Sequence, residues 1–330
     1  MDLSIIVPVY NVEKYIRACF KSIFQQGLDD KDFEIIIVND GSTDHSMEMI
    51  TDIIGQHDNV TVINQENLSL SVARNNGIAA AKGEYILMPD SDDLLIENSL
   101  KPLLEKAIET KVDLVVADFL YMTDEEIDNF YKQEFKQPEL QFKETTGDSL
   151  FIEVLNPSEC FVWRKLYRRD FIENQHLSFY PGIRYQDIPF THECYLKANR
   201  CIKANSILNI YRRWPGSSTK AFKIDNSKDF IIAIAKTWEL RQIKSISSGA
   251  LYKLEEDVYA SFRLIIYHTL YASKKTSERN YIIDFLNDKF PTLNFTHNIQ
   301  QRLITFMVKR MPHLFINLYY QYTQMVFKKR

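Results

Sequence analysis

Four short runs of apolar, mostly β-branched residues dominate the first ninety positions, and each ends in a polar cluster. Leu3-Ser4-Ile5-Ile6-Val7 leads into Pro8-Val9-Tyr10-Asn11, and Phe33-Glu34-Ile35-Ile36-Ile37-Val38 into Asn39-Asp40-Gly41-Ser42-Thr43-Asp44. Val60-Thr61-Val62-Ile63 is followed after a loop by Ala73-Arg74-Asn75-Asn76-Gly77, and Tyr85-Ile86-Leu87-Met88 passes through Pro89 into Asp90-Ser91-Asp92-Asp93. Nearly continuous apolar strands that alternate with helical patterns predict a parallel sheet covered on both faces. In open sheets of that kind, ligands bind outside the carboxyl ends of the strands. The polar clusters therefore share one rim, and one rim implies one site.

The acidic tetrapeptide is the most informative of these clusters. In extended backbone, residues two apart point the same way, which aims Asp90 and Asp92 at one point. Two converging carboxylates repel unless a cation or a proton joins them. Hard divalent cations such as Mg²⁺ or Mn²⁺ favour such oxygen ligands and commonly share them with substrate phosphates. A surface turn rich in Asp and Ser would show the same four residues, so the tetrapeptide alone leaves both readings open. The other clusters on its rim favour the site.

Helices between the strands follow from periodicity. Val12, Tyr15, Ile16, Cys19, Phe20, Ile23 and Phe24 recur at helical spacing, with Asn11 as N-cap and Gly27 just past the end. Asp44 can cap a helix that buries Met47, Ile50 and Ile54. A third helix spans 71–82, ahead of Gly83, and a fourth spans 97–110. Residues 113–119 read as a further strand, and 121–147 as a variable loop or short helices.

Composition bounds the function classes. The 330 residues suffice for one large domain with an appendage or for two domains, with 45% apolar and 25% charged residues as in soluble globular proteins. A net charge of −4 argues against nucleic-acid binding, which needs a basic surface. Cys19, Cys160, Cys194 and Cys201 show no metal-ligand spacing, so we expect buried free thiols in a reducing compartment. Met1-Asp2-Leu3 lacks the basic start of a signal peptide. No apolar stretch is long enough to cross a bilayer, and a cytoplasmic chain is the expectation. Internal repeats and low-complexity tracts are absent.

Taken together, Pro8-Val9-Tyr10-Asn11, Asp40-Gly41-Ser42-Thr43-Asp44, Ala73-Arg74-Asn75-Asn76-Gly77 and Asp90-Ser91-Asp92-Asp93 resemble the motifs of the family 2 glycosyltransferases with the GT-A fold. The resemblance resumes at Trp163-Arg164-Lys165-Leu166-Tyr167 and Tyr185-Gln186-Asp187-Ile188-Pro189-Phe190. It implies a Rossmann-like α/β domain, with a mostly parallel central sheet and helices on both faces, followed by a C-terminal helical region. The expected division is 1–222 for the catalytic domain (1–93 for the nucleotide, 94–222 for the acceptor) and 223–330 for the helices. The implied activity is inverting transfer of a sugar from a nucleotide sugar, UDP-linked, to a saccharide or lipid-linked acceptor, with Mn²⁺ or Mg²⁺ as cofactor.

The resemblance also assigns roles. Asp40 would pair with an imide N–H of the base, while Pro8 and Tyr10 form a wall of the base pocket. Asp92 would be the direct metal ligand and Asp90 a ribose or metal contact, with Asp93 capping or supporting. Arg74 would either reach the nucleotide or brace the Asp90 loop. Relatives usually carry glycines between the third strand and the Ala-Arg-Asn motif. This chain has Glu66-Asn67-Leu68-Ser69-Leu70-Ser71, which leaves Asn67 as a nucleotide contact on a stiffer backbone. Asp187 opens a helical pattern, where a carboxylate serves as a cap; the resemblance makes it the general base. Gln186 stands where relatives usually have Glu, and a neutral amide can bond acceptor hydroxyls but contributes no charge. Trp163 could stack on a sugar or fill the core. Arg213 and Lys220 flank a loop that relatives close over the diphosphate.

Two other classes stay in view. A catalytically silent nucleotide-sugar-binding protein could share the fold, with Gln186 and the missing glycines as its support. A sugar-1-phosphate nucleotidyltransferase would want a Gly-rich loop after the first strand, and Pro8-Val9-Tyr10-Asn11 is not one. Beyond about residue 224 the pattern turns to long helices, with stripes such as Phe230, Ile231, Ile234, Trp238 and Leu264, Ile265, Tyr267, His268, Tyr271; a core histidine is the reading of His268. After Asp288 no acidic residue occurs, while seven Lys and Arg alternate with aromatic and aliphatic residues. Residues 289–330 could lie against an anionic membrane on its cytoplasmic face, or form a terminal helix pair packed on the catalytic domain or on a dimer partner.

Overall fold

The computed structural model describes residues 1–133, 135–156, 159–214 and 224–327. The chain separates into two compact units, Met1–Gly182 with Phe190–Ser217, and Ile183–Pro189 with Ser218–Arg330. In chain order the elements up to residue 213 are β1 (Leu3–Val9), α1 (Ile16–Phe24), β2 (Phe33–Asp40), α2 (Thr51–Ile54), β3 (Val60–Gln65), α3 (Leu70–Ala80), β4 (Tyr85–Leu87), β5 (Leu94–Leu95) and α4 (Leu100–Thr110). They continue as β6 (Leu114–Thr123), α5 (Asp124–Phe130), β7 (Phe142–Thr145), α6 (Gly147–Glu153), β8 (Lys165–Arg168), α7 (Arg169–Asn174), α8 (Asp187–Lys197) and β9 (Cys201–Arg213).

One sheet organises the first unit in the order β3-β2-β1-β4-β8-β6-β9-β5, with β7 paired to β9. The half formed by β3, β2, β1 and β4 is parallel throughout. The other half is mixed, because β8 runs antiparallel to both β4 and β6, while β6 and β9 are parallel. Side chains on β1 alternate between two covered faces, which is why the strand reads as unbroken apolar sequence. Leu3, Ile5, Val7 and Val9 join a core with Ile16 and Phe20 of α1 and Leu100 and Leu103 of α4. Ile6 faces the other way onto α3, so close that a Cβ on Gly77 would lie 2.2 Å from its Cγ2.

Proline inside a central strand needs a reason, because it removes a ladder donor. Here β4 pairs with β1 only at Leu3–Ile5, so β1 has no neighbour on that side by Pro8. The chain after β4 has already turned away towards the acidic tetrapeptide, and the gap opens the sheet at the polar rim.

Several local expectations change. Asn11 is not the cap of α1; it stands at φ 50°, and α1 starts at Ile16 after Tyr15. Its Oδ1 instead accepts the Thr43 amide at 2.8 Å, tying the end of β1 to the loop after β2. Asp44 closes a turn through the Ser46 amide and also accepts the Glu13 amide. The stretch 121–147, expected as a variable loop or short helices, begins with the end of β6 and then holds the short helix α5, whose first turn carries a reciprocal capping box between Thr123 and Glu126. Cys19, Cys160, Cys194 and Cys201 are buried thiols outside any disulfide, as expected.

The second unit contains α9 (Ile224–Glu239), α10 (Ser248–Ala272), α11 (Thr276–Lys289), α12 (Ile299–Arg310) and α13 (Pro312–Phe327). Its core includes Phe230, Ile231, Ile234 and Trp238 of α9, as their spacing predicted. On α10 the expected stripe is displaced: Phe262, Ile265, Ile266 and Leu270 are buried, whereas Leu264 and Tyr267 face solvent and His268 is half-buried. Both stripes have helical spacing, and only the packing partners choose between them. Short-segment residues Arg184 and Tyr185 rest on α9, through a 3.4 Å bond from the Arg184 amide to Asp229 and a 4.8 Å ring contact with Phe230. No described helix is long and apolar enough to cross a membrane.

Candidate active site

The carboxyl ends of β1, β2 and β4 bring the polar clusters of the first unit to one rim. At β2, Asp40 is almost fully buried and both its oxygens are engaged. Oδ1 accepts from Gln65 Nε2 at 2.6 Å and from the Leu68 amide at 2.9 Å, and Oδ2 accepts from the Ser69 amide at 3.1 Å. Asp40 thus anchors the loop that carries the exposed Asn67. Gly41, at φ 72°, lets that loop pass close: a Cβ there would lie 2.9 Å from the Asn67 amide nitrogen. Pro8 is buried beside Val38, while Tyr10 is 46% exposed at the end of β1.

The missing glycines leave a mark on this loop. Ser69 adopts φ 100° and ψ 155°, a region that costs a residue with a Cβ about 1–3 kcal/mol. A backbone geometry that glycine would adopt freely is held here under strain by the Ser69 amide bond to Asp40 and the 3.0 Å contact between the Ser69 and Ser71 hydroxyls. Ser69→Gly should consequently melt above Ser69→Ala. Both lose the hydroxyl, but only glycine relieves the strain, for a net difference of about 1 kcal/mol after its extra unfolded-chain entropy. Parallel thermal melts decide it, and equal midpoints would remove the strain argument.

Around the acidic tetrapeptide, Arg74 of α3 bonds Asp90 Oδ1. Of its two expected roles, bracing the Asp90 loop is the contact present. Arg74 is itself buried, lies over the Phe179 ring, and leaves its Nε without a partner among the described residues. Asp92 Oδ2 accepts from Trp214 Nε1 at 3.1 Å. Asp93 is buried; its Oδ1 accepts the Arg212 amide at 2.8 Å and its Oδ2 has no partner among the described residues. Burial, followed by the repulsion of neighbouring acids, pushes the Asp93 carboxyl well above the usual range. Burial also raises Asp90, with Arg74 opposing it and Asp92 adding to it. This cluster is short of positive charge.

The hard carboxylate donors and this charge deficit fit a divalent cation. Among the described residues, no group of three or more His, Cys, Asp or Glu side chains could hold a metal alone. The protein would then contribute Asp92 and Asp90, and a substrate diphosphate the remaining oxygens, as is common for Mg²⁺.

Arg212, Trp214 and Asp124 are the residues that sequence reasoning missed. Arg212 bonds the Asp92 carbonyl through Nε at 2.9 Å and Asp124 Oδ1 through Nη1 at 2.5 Å. Lys14 reaches the other oxygen of Asp124 at 3.0 Å, and the rings of Tyr15 and Trp214 lie 5.3 Å apart. Burial works against the charged form of Asp124, but Arg212 and Lys14 outweigh it and hold the carboxyl below its ordinary value. No sequence signal announced them: Leu94 pairs with Ile210 in an antiparallel register that, continued, sets Arg212 opposite Asp92, and that register exists only in the folded sheet.

Trp163 corrects an expectation. It is 2% exposed, stacked with Phe161 at 4.7 Å and Tyr211 at 5.7 Å, and met edge-on by Phe119. That burial makes it a core residue with no face to offer a sugar. Arg213 lies with its guanidinium 4.1 Å from the Tyr121 ring. Lys220 falls outside the described residues. Asp187 is the first residue of α8. Gln186, just before it in the short segment, is buried with Oε1 unpartnered among the described residues.

The profile of the family Glycosyl transferase family 2 matches residues 4–174. The chain is 35% identical over 224 residues to the uncharacterized glycosyltransferase EpsJ of Bacillus subtilis (strain 168), covering 66% of this chain and 63% of that protein. Similarity to the poly(ribitol-phosphate) beta-glucosyltransferase of Bacillus spizizenii is 31% over 205 residues, covering 61% of this chain and 30% of that protein. The chain thus spans less than two thirds of the length of either relative. The crystal structure of S. aureus TarS 1-349 in complex with UDP-GlcNAc superposes with a TM-score of 0.69 at 20% identity, covering 98% of this chain and 92% of that one. The mannosyltransferase PcManGT from Pyrobaculum calidifontis, in complex with GDP-Man and Mn²⁺, gives 0.54 at 15% identity, with 95% and 85% covered. At such identities the structural likeness shows the fold, GT-A with C-terminal helices.

Proposed function

The chain belongs to glycosyl transferase family 2, and we propose that it is an inverting, metal-dependent glycosyltransferase. Its donor is a nucleotide sugar, UDP-linked, and its acceptor a hydroxyl of a saccharide or lipid-linked oligosaccharide in surface-polysaccharide synthesis. One observation supports the reading: Asp40 ends β2, and Asp90 and Asp92 follow β4, on the two parallel strands that flank β1, with Arg74 bonded to Asp90, at the kind of rim where α/β folds bind ligands. The UDP-GlcNAc complex of TarS and the relative acting on poly(ribitol phosphate) support the donor and acceptor classes. The Mn²⁺ complex of PcManGT supports the cofactor.

In this mechanism Pro8, Tyr10, Asp40 and Asn67 receive the nucleoside, and Arg74 keeps the Asp90 carboxylate oriented towards the ribose. A cation held by Asp92 and Asp90 would neutralise the charge growing on the departing diphosphate. Asp187 takes the proton of the acceptor hydroxyl as that oxygen attacks the anomeric carbon. The bond from that carbon to the diphosphate breaks, and its electron pair leaves with the nucleoside diphosphate. A single displacement inverts the configuration. Gln186 bonds acceptor hydroxyls, and Arg213 and Lys220 contact phosphate.

A panel of nucleotide sugars, assayed for nucleoside diphosphate release with Mn²⁺ and with chelator, tests the proposal. The expected outcome is slow, metal-dependent release from one donor, accelerated by the right acceptor. Metal-dependent binding without turnover across acceptors would instead favour the silent binding protein. No interaction with any nucleotide sugar would end the transferase reading.

A further inference from the structure

Helix α12 is folded inside out by the ordinary rule for a surface helix. Its buried face holds Gln301, Thr305 and Val308, while Ile299, Leu303 and Phe306 are 83%, 59% and 54% exposed. The polar residues are inside for a reason. Gln301 accepts the His297 amide at 3.0 Å and donates to Glu256 at 2.7 Å, and the Thr305 hydroxyl accepts the Phe295 amide at 3.0 Å. Positions 299, 303 and 306 fall on one helical face, so the apolar stripe is left in water as a unit. Next in the chain, α13 exposes a second stripe at the same kind of spacing, Leu318, Tyr322 and Met325, and carries no Asp, Glu, Lys or Arg from Pro312 to Phe327. Isolated exposed hydrophobics need no explanation, whereas two such stripes on consecutive helices mark a covered surface.

Charge indicates what covers it. From Lys289 onward the sequence holds seven of its forty Lys and Arg residues and none of its forty-four Asp and Glu, leaving residues 1–288 with a net charge of −11. On α12, Arg302 and Arg310 are exposed, Arg302 with its Nε on the Thr296 carbonyl at 3.0 Å, while Lys309 bonds the Phe290 and Pro291 carbonyls. A second copy seated face to face on the same surface would set these cations against themselves. An anionic bilayer meets both demands, since apolar stripes enter its interface and cations pair with its phosphates. We infer that α12 and α13 form a docking surface for an anionic lipid membrane, lying in its interface without crossing it.

This inference is independent of the donor and of catalysis, and binding alone tests it. The full chain is floated with phosphatidylcholine vesicles, with and without phosphatidylglycerol, at low and high salt. Flotation is expected only with the anionic vesicles, and salt should weaken it. Leu303→Gln with Phe306→Gln should reduce the partition constant at least about tenfold, and Arg302→Gln with Arg310→Gln roughly 25-fold, about fivefold per cation. The positions are exposed, so circular dichroism should stay unchanged. The salt titration of the unaltered chain keeps the test decisive if a variant misfolds. Absence of flotation with anionic vesicles at low salt overturns the inference, as does binding that ignores all four substitutions. A concentration-dependent dimer that Leu303→Gln with Phe306→Gln dissolves, without vesicle binding, would assign the face to a second copy instead.

Discussion

Asp187→Asn should lower turnover by about 10²–10⁴-fold, the usual cost of removing a general base, while donor binding and the melting temperature stay near those of the unaltered chain. The choice of asparagine separates two roles for one position. Asp187 begins α8, where a side-chain oxygen can satisfy free backbone amides. Asparagine caps helices about as well as aspartate, so a residue that only caps would tolerate the change in both stability and rate. Asparagine cannot take a proton from an acceptor hydroxyl, so a base would not. Single-turnover rates measured with saturating donor and acceptor, beside a thermal melt, read both quantities. Near-normal turnover would return Asp187 to a structural role and leave the proposed displacement without its base.

Asp92→Asn carries the second large effect. Loss of the electrostatic stabilisation it supports should cost about 3–4 kcal/mol, or roughly a hundred- to thousandfold in rate, and Mn²⁺ should no longer strengthen nucleotide binding. Here too the amide discriminates. Asp92 accepts a hydrogen bond from Trp214, and the asparagine carbonyl can still accept it. A residue present only to hold Trp214 would survive the change. Calorimetric titration of the nucleoside diphosphate with and without Mn²⁺ provides the check. A metal response equal to that of the unaltered chain would move the metal away from Asp92.

Both predictions concern residues that the sequence singled out, because each lies at a point where strand or helix patterning breaks. The strands of the parallel half were readable for a related reason. Covered on both faces, they need apolar residues at every position, and Leu3–Val9 and Phe33–Asp40 extend just past the runs that announced them. The acids follow β4 within a few residues, so their clustering required only local geometry. Arg212 was not readable in this way. It meets Asp92 and Asp93 across about 120 positions of chain, through an antiparallel register that no local pattern announces. Trp163 failed for the opposite reason: an aromatic residue near a sugar-transferase motif has the same letter whether its faces are open or stacked on Phe161 and Tyr211.

The sequence by itself determined the parallel half-sheet, the polar rim and the acids placed there, because strand periodicity and chain adjacency are local properties. Tertiary structure alone decided which side of α10 and α12 faces inward, whereas the buried faces of α1 and α9 were readable from their spacing. Ile299, Leu303 and Phe306 have the spacing of a core stripe and lie in solvent, while Gln301 and Thr305 are inside because Glu256, His297 and Phe295 supply their partners. The same holds for Ser69, whose strained backbone exists because Asp40 pulls its amide from the end of another strand. Periodicity states that a face exists; only the groups that meet it, brought from distant parts of the chain, determine whether it is buried, strained or left for a partner.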